Sequence, residues 1–373
     1  MSDQVSIRYH RVVCRWIQAM VIAAAAMAAF VPADGATIER RFSTTVYPQL
    51  QAVLTRLSNA VPFALFDLLT IAGAAAVVTT LVRGWRRTRR ERRLRPVVRA
   101  LAAVATGAAV VYLLFLGLWG LNYRRLSMSE RLVMANAPPD GAAVLALGLE
   151  AARRMNDLHA AAHSVGWRDD PRDDASLVEA FAFVQHRLSE APTAVPGRLK
   201  VTLYGPYFRW TSVDGMVNPL ALEVLANPDL LPYERAFVAA HEWAHLAGYA
   251  HEAEANFVGW LTCVRAGVPA QYSAWLYLYW QIHGEVSATE RITLGQALEE
   301  GPRRDIDAIV DRLRRGQLPL LRNASWRVYD HYLRANRVDA GIRSYGQVVT
   351  LLLRARFEDG WIPVRRPGAA SSR

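Results

Sequence analysis

Residues 233–263 read YERAFVAAHEWAHLAGYAHEAEANFVGWLTC. Within them, His241-Glu242-Trp243-Ala244-His245 spells HExxH. On a helix, positions i and i+4 share a face, so His241 and His245 offer two imidazoles to one metal ion. Glu242 stands where a general base reaches a water activated at that metal. The pentapeptide alone has a real false-positive rate. Here an apolar run, 236–240, precedes it, Gly248 closes it, and acidic residues follow at short range. The plainer reading is a core helix with two satisfied histidines and a solvated glutamate.

A catalytic zinc takes three protein ligands and leaves a fourth position for water. Zn2+ is the expected cofactor. The third ligand has more than one reading. His241 to His251 spells HExxHxxGxxH, the metzincin pattern, in which a glycine turn brings a third histidine round. Glu252-Ala-Glu-Ala-Asn256 instead resembles the ExxAD segment of gluzincins. There a glutamate on the next helix ligates, and the residue four later orients a histidine. Metzincins carry a Met-turn after the motif, and no methionine follows Met216. Glu252, Ala255, Asn256 and Gly259 share a helical face, whereas Glu254 points about 200° from Glu252. Glu252 is therefore the preferred ligand, His251 and Glu254 are the alternatives, and Asn256 is the orienting residue. Tyr329, His331 and Tyr345 are candidates to steady an oxyanion. Asn218, in Gly215-Met-Val-Asn-Pro219, is a candidate substrate contact on an edge strand. For these four, ordinary packing or a turn is the competing reading.

Three apolar runs precede the motif, at 17–31, 61–82 and 97–119. A bilayer core of about 30 Å needs about 20 apolar residues in a helix. The second and third runs meet that length. The first is shorter and is read as a retained span rather than a signal peptide. Of the net charge of +11, residues 1–120 carry 15 Arg and 5 acidic residues, so 15 − 5 = +10. Most of it lies in the loop RGWRRTRRERRLR, 83–95. The positive-inside rule puts that loop in the cytoplasm. Residues 121–373 then lie outside. Topology and anionic lipid explain the arginines better than nucleic acid does. The cysteines, Cys14 and Cys263, fall on opposite sides of the membrane and neither has a CxxC partner, so neither a disulfide framework nor a cysteine metal site is expected.

The expected architecture is a mainly α membrane protein. Spans at about 16–33, 61–82 and 97–119, with the cytoplasmic Arg-rich loop 83–96, form residues 1–120. An extracytoplasmic α+β zincin-like domain with a small β element covers 121–364, and 365–373 is a disordered tail. Residues 35–60 read as a short, partly helical external loop, and Trp119 and Tyr123 as interfacial belt residues. Amphipathic helices are expected at 142–163 and 175–189, strands at 199–204 and 213–217, and helices at 233–247, 252–266, 302–314, 326–334 and 345–356. The segment 272–280 lies either in the interface or in the core.

The chain resembles a bacterial membrane-protein family of unknown function with three N-terminal spans and an external HExxH domain. The resemblance rests on Ile38-Glu-Arg-Arg-Phe-Ser43, Val46-Tyr-Pro48, Trp119-Gly-Leu-Asn-Tyr123, the HExxH with Gly248, and Glu252-Ala-Glu-Ala-Asn256. It continues in Tyr329-Asp330, Tyr332-Leu333, Asn336 and Ser344-Tyr-Gly346. It implies Glu at the positions of Glu252 and Glu254, no consistent histidine at that of His251, and a gluzincin-like metallopeptidase. Leu246 departs from the polar residue usual there. The expected function is a zinc metallopeptidase anchored in the bacterial inner membrane. Its partners are a peptide or protein substrate outside the cytoplasm and the lipid bilayer, with no nucleic acid. The alternatives are a non-catalytic receptor or scaffold with a structural or vestigial metal site, and an intramembrane protease. Glu234, Arg235 and Glu242 in the metal helix disfavour the last.

Overall fold

The computed structural model describes residues 2–336 and 347–367. The chain is mainly helical. It opens with α1 (Ser2–Phe30), α2 (Gly35–Ile38), a π-helical turn at Glu39–Val46, and α3 (Tyr47–Ala60). Two long helices follow, α4 (Leu65–Glu91) and α5 (Arg95–Leu118). Both are long and apolar enough to cross a membrane, and α1 with the segment after it, bent by 113°, makes a possible third.

Next come α6 (Met128–Arg131), α7 (Gly141–Val165), α8 (Ala175–Leu188), β1 (Leu199–Lys200), α9 (Gly205–Thr211), β2 (Gly215–Asn218) and β3 (Glu223–Ala226). The metal-motif helices are α10 (Pro232–Leu246) and α11 (Glu252–Arg265). The chain ends with α12 (Val268–Glu285), α13 (Ala288–Ala297), α14 (Glu300–Gly316), α15 (Pro319–Ala335), α16 (Gln347–Arg354), β4 (Phe357–Glu358) and β5 (Ile362–Pro363).

α10 and α11 sit at the centre of the core, where Trp243, Ala244, Phe257 and Trp260 are fully buried. Pro232 opens α10 at its first turn, and the Glu234 carboxylate accepts a bond from Leu231 N–H at 2.8 Å. Gly248, at φ 85°, closes it, as a left-handed residue after a helix should. At Gly259 a Cβ would lie 3.0 Å from His241 N, so glycine permits close packing of the two helices. α12 lies in the core, with Tyr272, Trp275 and Tyr279 buried, which settles the placement of 272–280.

The three-stranded sheet has the order β1-β3-β2, with β1 parallel and β2 antiparallel to β3. The strand expected at 199–204 stops at Lys200, and its continuation turns into α9. β3 was not legible, because its first residue is a glutamate. Glu223 is nonetheless buried, paired with the only lysine, Lys200, at 2.9 Å. Its carboxylate also accepts bonds from Leu65 N and Phe66 N at 3.0 and 2.6 Å, capping the start of α4. Asp67, one turn into α4, accepts from Leu203 N at 3.0 Å and from the Thr202 hydroxyl. The sheet is thus fastened to the start of α4.

Residues 35–60 are more than an external loop. Tyr47 and Phe42 join the main core, and α3 sends Gln51 and Thr55 into buried bonds with Val195 and Leu222. The expected tail from 365 is held at its start, where Arg366 N donates to Arg131 O at 2.9 Å.

Candidate metal centre

α10 turns both histidines to one side, and the first residue of α11 meets them. His241 Nε2 and His245 Nε2 lie 3.4 and 3.5 Å from the same atom, Glu252 Oε2. All three ligand atoms fall within 4.8 Å of one another. Zinc with tetrahedral bonds of about 2.0–2.2 Å holds its ligand atoms about 3.3–3.6 Å apart. The donor set fits such an ion. Glu252 Oε2 is buried without a hydrogen-bond donor. Leaving an acceptor so costs about 1–3 kcal/mol, and a cation among the three groups removes that cost.

Neighbouring groups orient each ligand. His245 Nδ1 lies 2.8 Å from Tyr249 O, which turns its Nε2 to the site. The Tyr329 hydroxyl donates to Glu252 Oε1 at 2.5 Å, leaving Oε2 free to ligate. Burial alone would raise the Glu252 pKa, but the two imidazoles outweigh it and hold the carboxylate well below its usual range. Burial lowers His245, and Glu252 overrides that to lift it to about 9.

Glu242 is buried beside the pair, with Oε1 4.0 Å from His241 Nε2 and Oε2 without a hydrogen-bond partner. Burial, partly offset by the imidazoles, holds its carboxyl above the usual range. Gly215 on β2 makes room for it, since a Cβ there would lie 2.5 Å from Glu242 Oε1. These groups line a cavity of about 420 Å³. Its other walls are the β2 edge, Tyr207 and Phe208 of α9, and Val328, Tyr329 and Tyr332 of α15.

The family model described as Protein of unknown function (DUF3810) matches residues 42–353. The chain belongs to this family. No curated protein and no solved structure matches it.

The DUF3810 match includes the segments on either side of α4 and α5 that support the site. Trp119 Nε1 donates to His245 O at 3.0 Å, and the Tyr47 hydroxyl to Leu246 O at 2.8 Å. Both carbonyls lie at the end of α10, where the helical ladder stops, and His245 O also accepts from Gly248 N at 3.0 Å. Trp119 and Tyr123, expected as belt residues, are both 6 % exposed. They belong to the protein interior: the Trp119 indole bonds the α10 terminus, and the Tyr123 ring packs edge-on against Trp119, His251 and Tyr332.

Several expected site residues lie elsewhere in this DUF3810 chain. Glu254 accepts from Met128 N at 2.5 Å and faces Arg131 at 3.6 Å, beside the buried Arg125–Glu39 pair. Arg125 also donates to Gly248 O at 3.0 Å, so this cluster braces the turn after α10 and Glu254 serves there. His251 precedes α11 with its ring edge-on to Tyr123 at 5.8 Å, outside the ligand group. Asn256 is buried with Nδ2 unpaired and bonds neither histidine: Tyr249 orients His245, and His241 Nδ1 has no partner. Asn218 donates to Glu223 Oε1 at 2.9 Å and accepts from Leu220 N, a structural role in the sheet. His331 bonds its own helix, at Arg327 O, and faces outward. Tyr345 lies outside the described residues.

Tyr329 reaches the site, and so do residues not expected there. The Tyr332 hydroxyl is pushed up to about 12, by burial first and by the Glu252 charge. Tyr123 and Trp119 share its cavity wall. The Tyr329–Tyr332 spacing of three on one helix was a usable signal. Gly215 carried none that spacing could reveal.

Proposed function

We propose that this protein is a membrane-anchored, zinc-dependent metallopeptidase of gluzincin type. The observation that carries this reading is the meeting of three ligand atoms and a separate buried carboxylate at the wall of one cavity. His241, His245 and Glu252 would hold the ion. When bound, zinc supplies Lewis acidity toward a carbonyl oxygen and lowers the pKa of a water. Glu242 takes a proton from the attacking water and returns it to the leaving amine. The edge of β2 is suited to bond an extended peptide as an added strand. Tyr332, on the wall of the same cavity, donates toward a developing oxyanion. A closed structural site would need a fourth protein ligand, and the two nearest in sequence, His251 and Glu254, are engaged elsewhere.

Charge supports the sidedness. The catalytic domain is fastened to the start of α4 and the end of α5, and the arginines of 83–95 lie at their opposite ends. With those arginines in the cytoplasm of a bacterium, the domain faces outward from the inner membrane. α1 adds the third span.

The test is cleavage of a quenched fluorescent peptide library by zinc-loaded protein in nanodiscs. Wild type should cleave a subset, and Glu242→Gln should keep zinc and cleave the same peptides about 10²–10⁴-fold more slowly. Equal cleavage by Glu242→Gln, or none by the zinc-loaded wild type, would overturn the proposal.

A further inference from the structure

A second histidine pair lies on α7. His159-Ala-Ala-Ala-His163 repeats the i, i+4 spacing of the first site. Both rings turn toward α14, where Asp305 Oδ2 lies 2.9 Å from His163 Nε2 and 3.6 Å from His159 Nε2. The two rings stand 4.3 Å apart. The ligand atoms fall within 4.8 Å of one another, as at the first site. The His159 distance matches the edge of about 3.3–3.6 Å that tetrahedral zinc requires, and His163, at hydrogen-bond distance, lies inside it.

The carboxylate is built in place. Asp305 is 7 % exposed, and the Tyr272 hydroxyl donates to its Oδ2 at 2.5 Å. The Tyr233 hydroxyl donates to Asp305 O at 3.0 Å. Gly301 seats His159: a Cβ there would lie 2.5 Å from the ring carbon Cε1. An ordinary ion pair uses one imidazole. Here two converge on one oxygen, and protonating both would put two positive rings in contact.

We infer that His159, His163 and Asp305 form a second binding site for a divalent transition-metal ion, zinc in the first instance. The position after its first histidine is Ala160, so it has no counterpart of Glu242. The ion clamps α7 to α14, the helix that leads into α15 and the cavity wall. The histidine side chains, 23 % and 38 % exposed, leave its outer face to water.

The experiment counts metal in full-length protein, purified without a polyhistidine tag and dialysed against buffered zinc. Wild type should hold two zinc ions per chain. The double variant His159→Gln/His163→Gln should hold one, and so should His241→Ala. These histidines are partly exposed, which keeps the glutamine variants foldable; Asp305→Asn would disturb the buried Tyr272 contact. As a second readout, Co2+ added to His241→Ala should give the visible absorption of a tetrahedral site, and this should vanish when His159→Gln/His163→Gln is added. One zinc in wild type, unchanged by the glutamine pair, overturns the second site and leaves the first standing. One zinc that only the glutamine pair removes upholds the second site and removes the metal from the proposed catalytic one.

Discussion

Two helices of this protein each present a histidine pair to a carboxylate from another helix, yet their surroundings differ completely. At His241 and His245, the residue after the first histidine is a buried glutamate and the group opens on a cavity of about 420 Å³. At His159 and His163, alanine stands there and Tyr233, Tyr272 and Trp167 pack around the group. The ligand types and spacing are nearly the same. Whether such a site does chemistry depends on the base beside it and on room for a substrate.

The largest expected effect tests that difference directly. Glu242→Gln should lower turnover by about 10²–10⁴, the usual worth of a general base, with zinc retained. Activity assays beside metal counts check both halves; zinc lost with the activity would break the separation of base from ligands. Gly215→Ala comes next. Its methyl must displace the Glu242 carboxylate, and a shift of about 1 Å in a reacting group costs about 10² in rate. Zinc affinity should stay unchanged, so a fall in affinity would show that β2 holds the ligands rather than the base.

Smaller effects probe the second rank of residues at both sites. Tyr329→Phe removes the hydroxyl that bonds Glu252, and Tyr272→Phe the hydroxyl that bonds Asp305. Each should weaken zinc binding at its own site by about 10–100-fold. Competition titration with a chromophoric chelator measures both, and cross-effects would show that the sites are coupled. The smallest change is in stability. Zinc at 100 times its dissociation constant adds about 2.7 kcal/mol per site. Melting with and without chelator should show that increment halved in either His241→Ala or His159→Gln/His163→Gln.

The group of His241, Glu242, His245 and Glu252 was legible because its spacing is local. HExxH needs only the helical period to bring two imidazoles together, and Glu252 follows within one turn of chain. The second site was invisible for the opposite reason: 142 residues separate His163 from Asp305. Glu254 shows the limit of spacing. It stands two residues from Glu252, and only the buried arginines Arg125 and Arg131 reveal why it faces elsewhere.

The sequence by itself determined the apolar helices, the basic segment between them, and the helical pair that carries His241, Glu242, His245 and Glu252. Each follows from a period or a run that the chain repeats along its own length. Tertiary structure alone decided what surrounds them. It brought Trp119 and Tyr47 to the end of α10, Lys200 and Glu223 to the start of α4, Gly215 against Glu242, and Asp305 to the histidines of α7. Those contacts join residues far apart in sequence, and they form because buried carbonyls, carboxylates and imidazoles must each find a partner once water is gone.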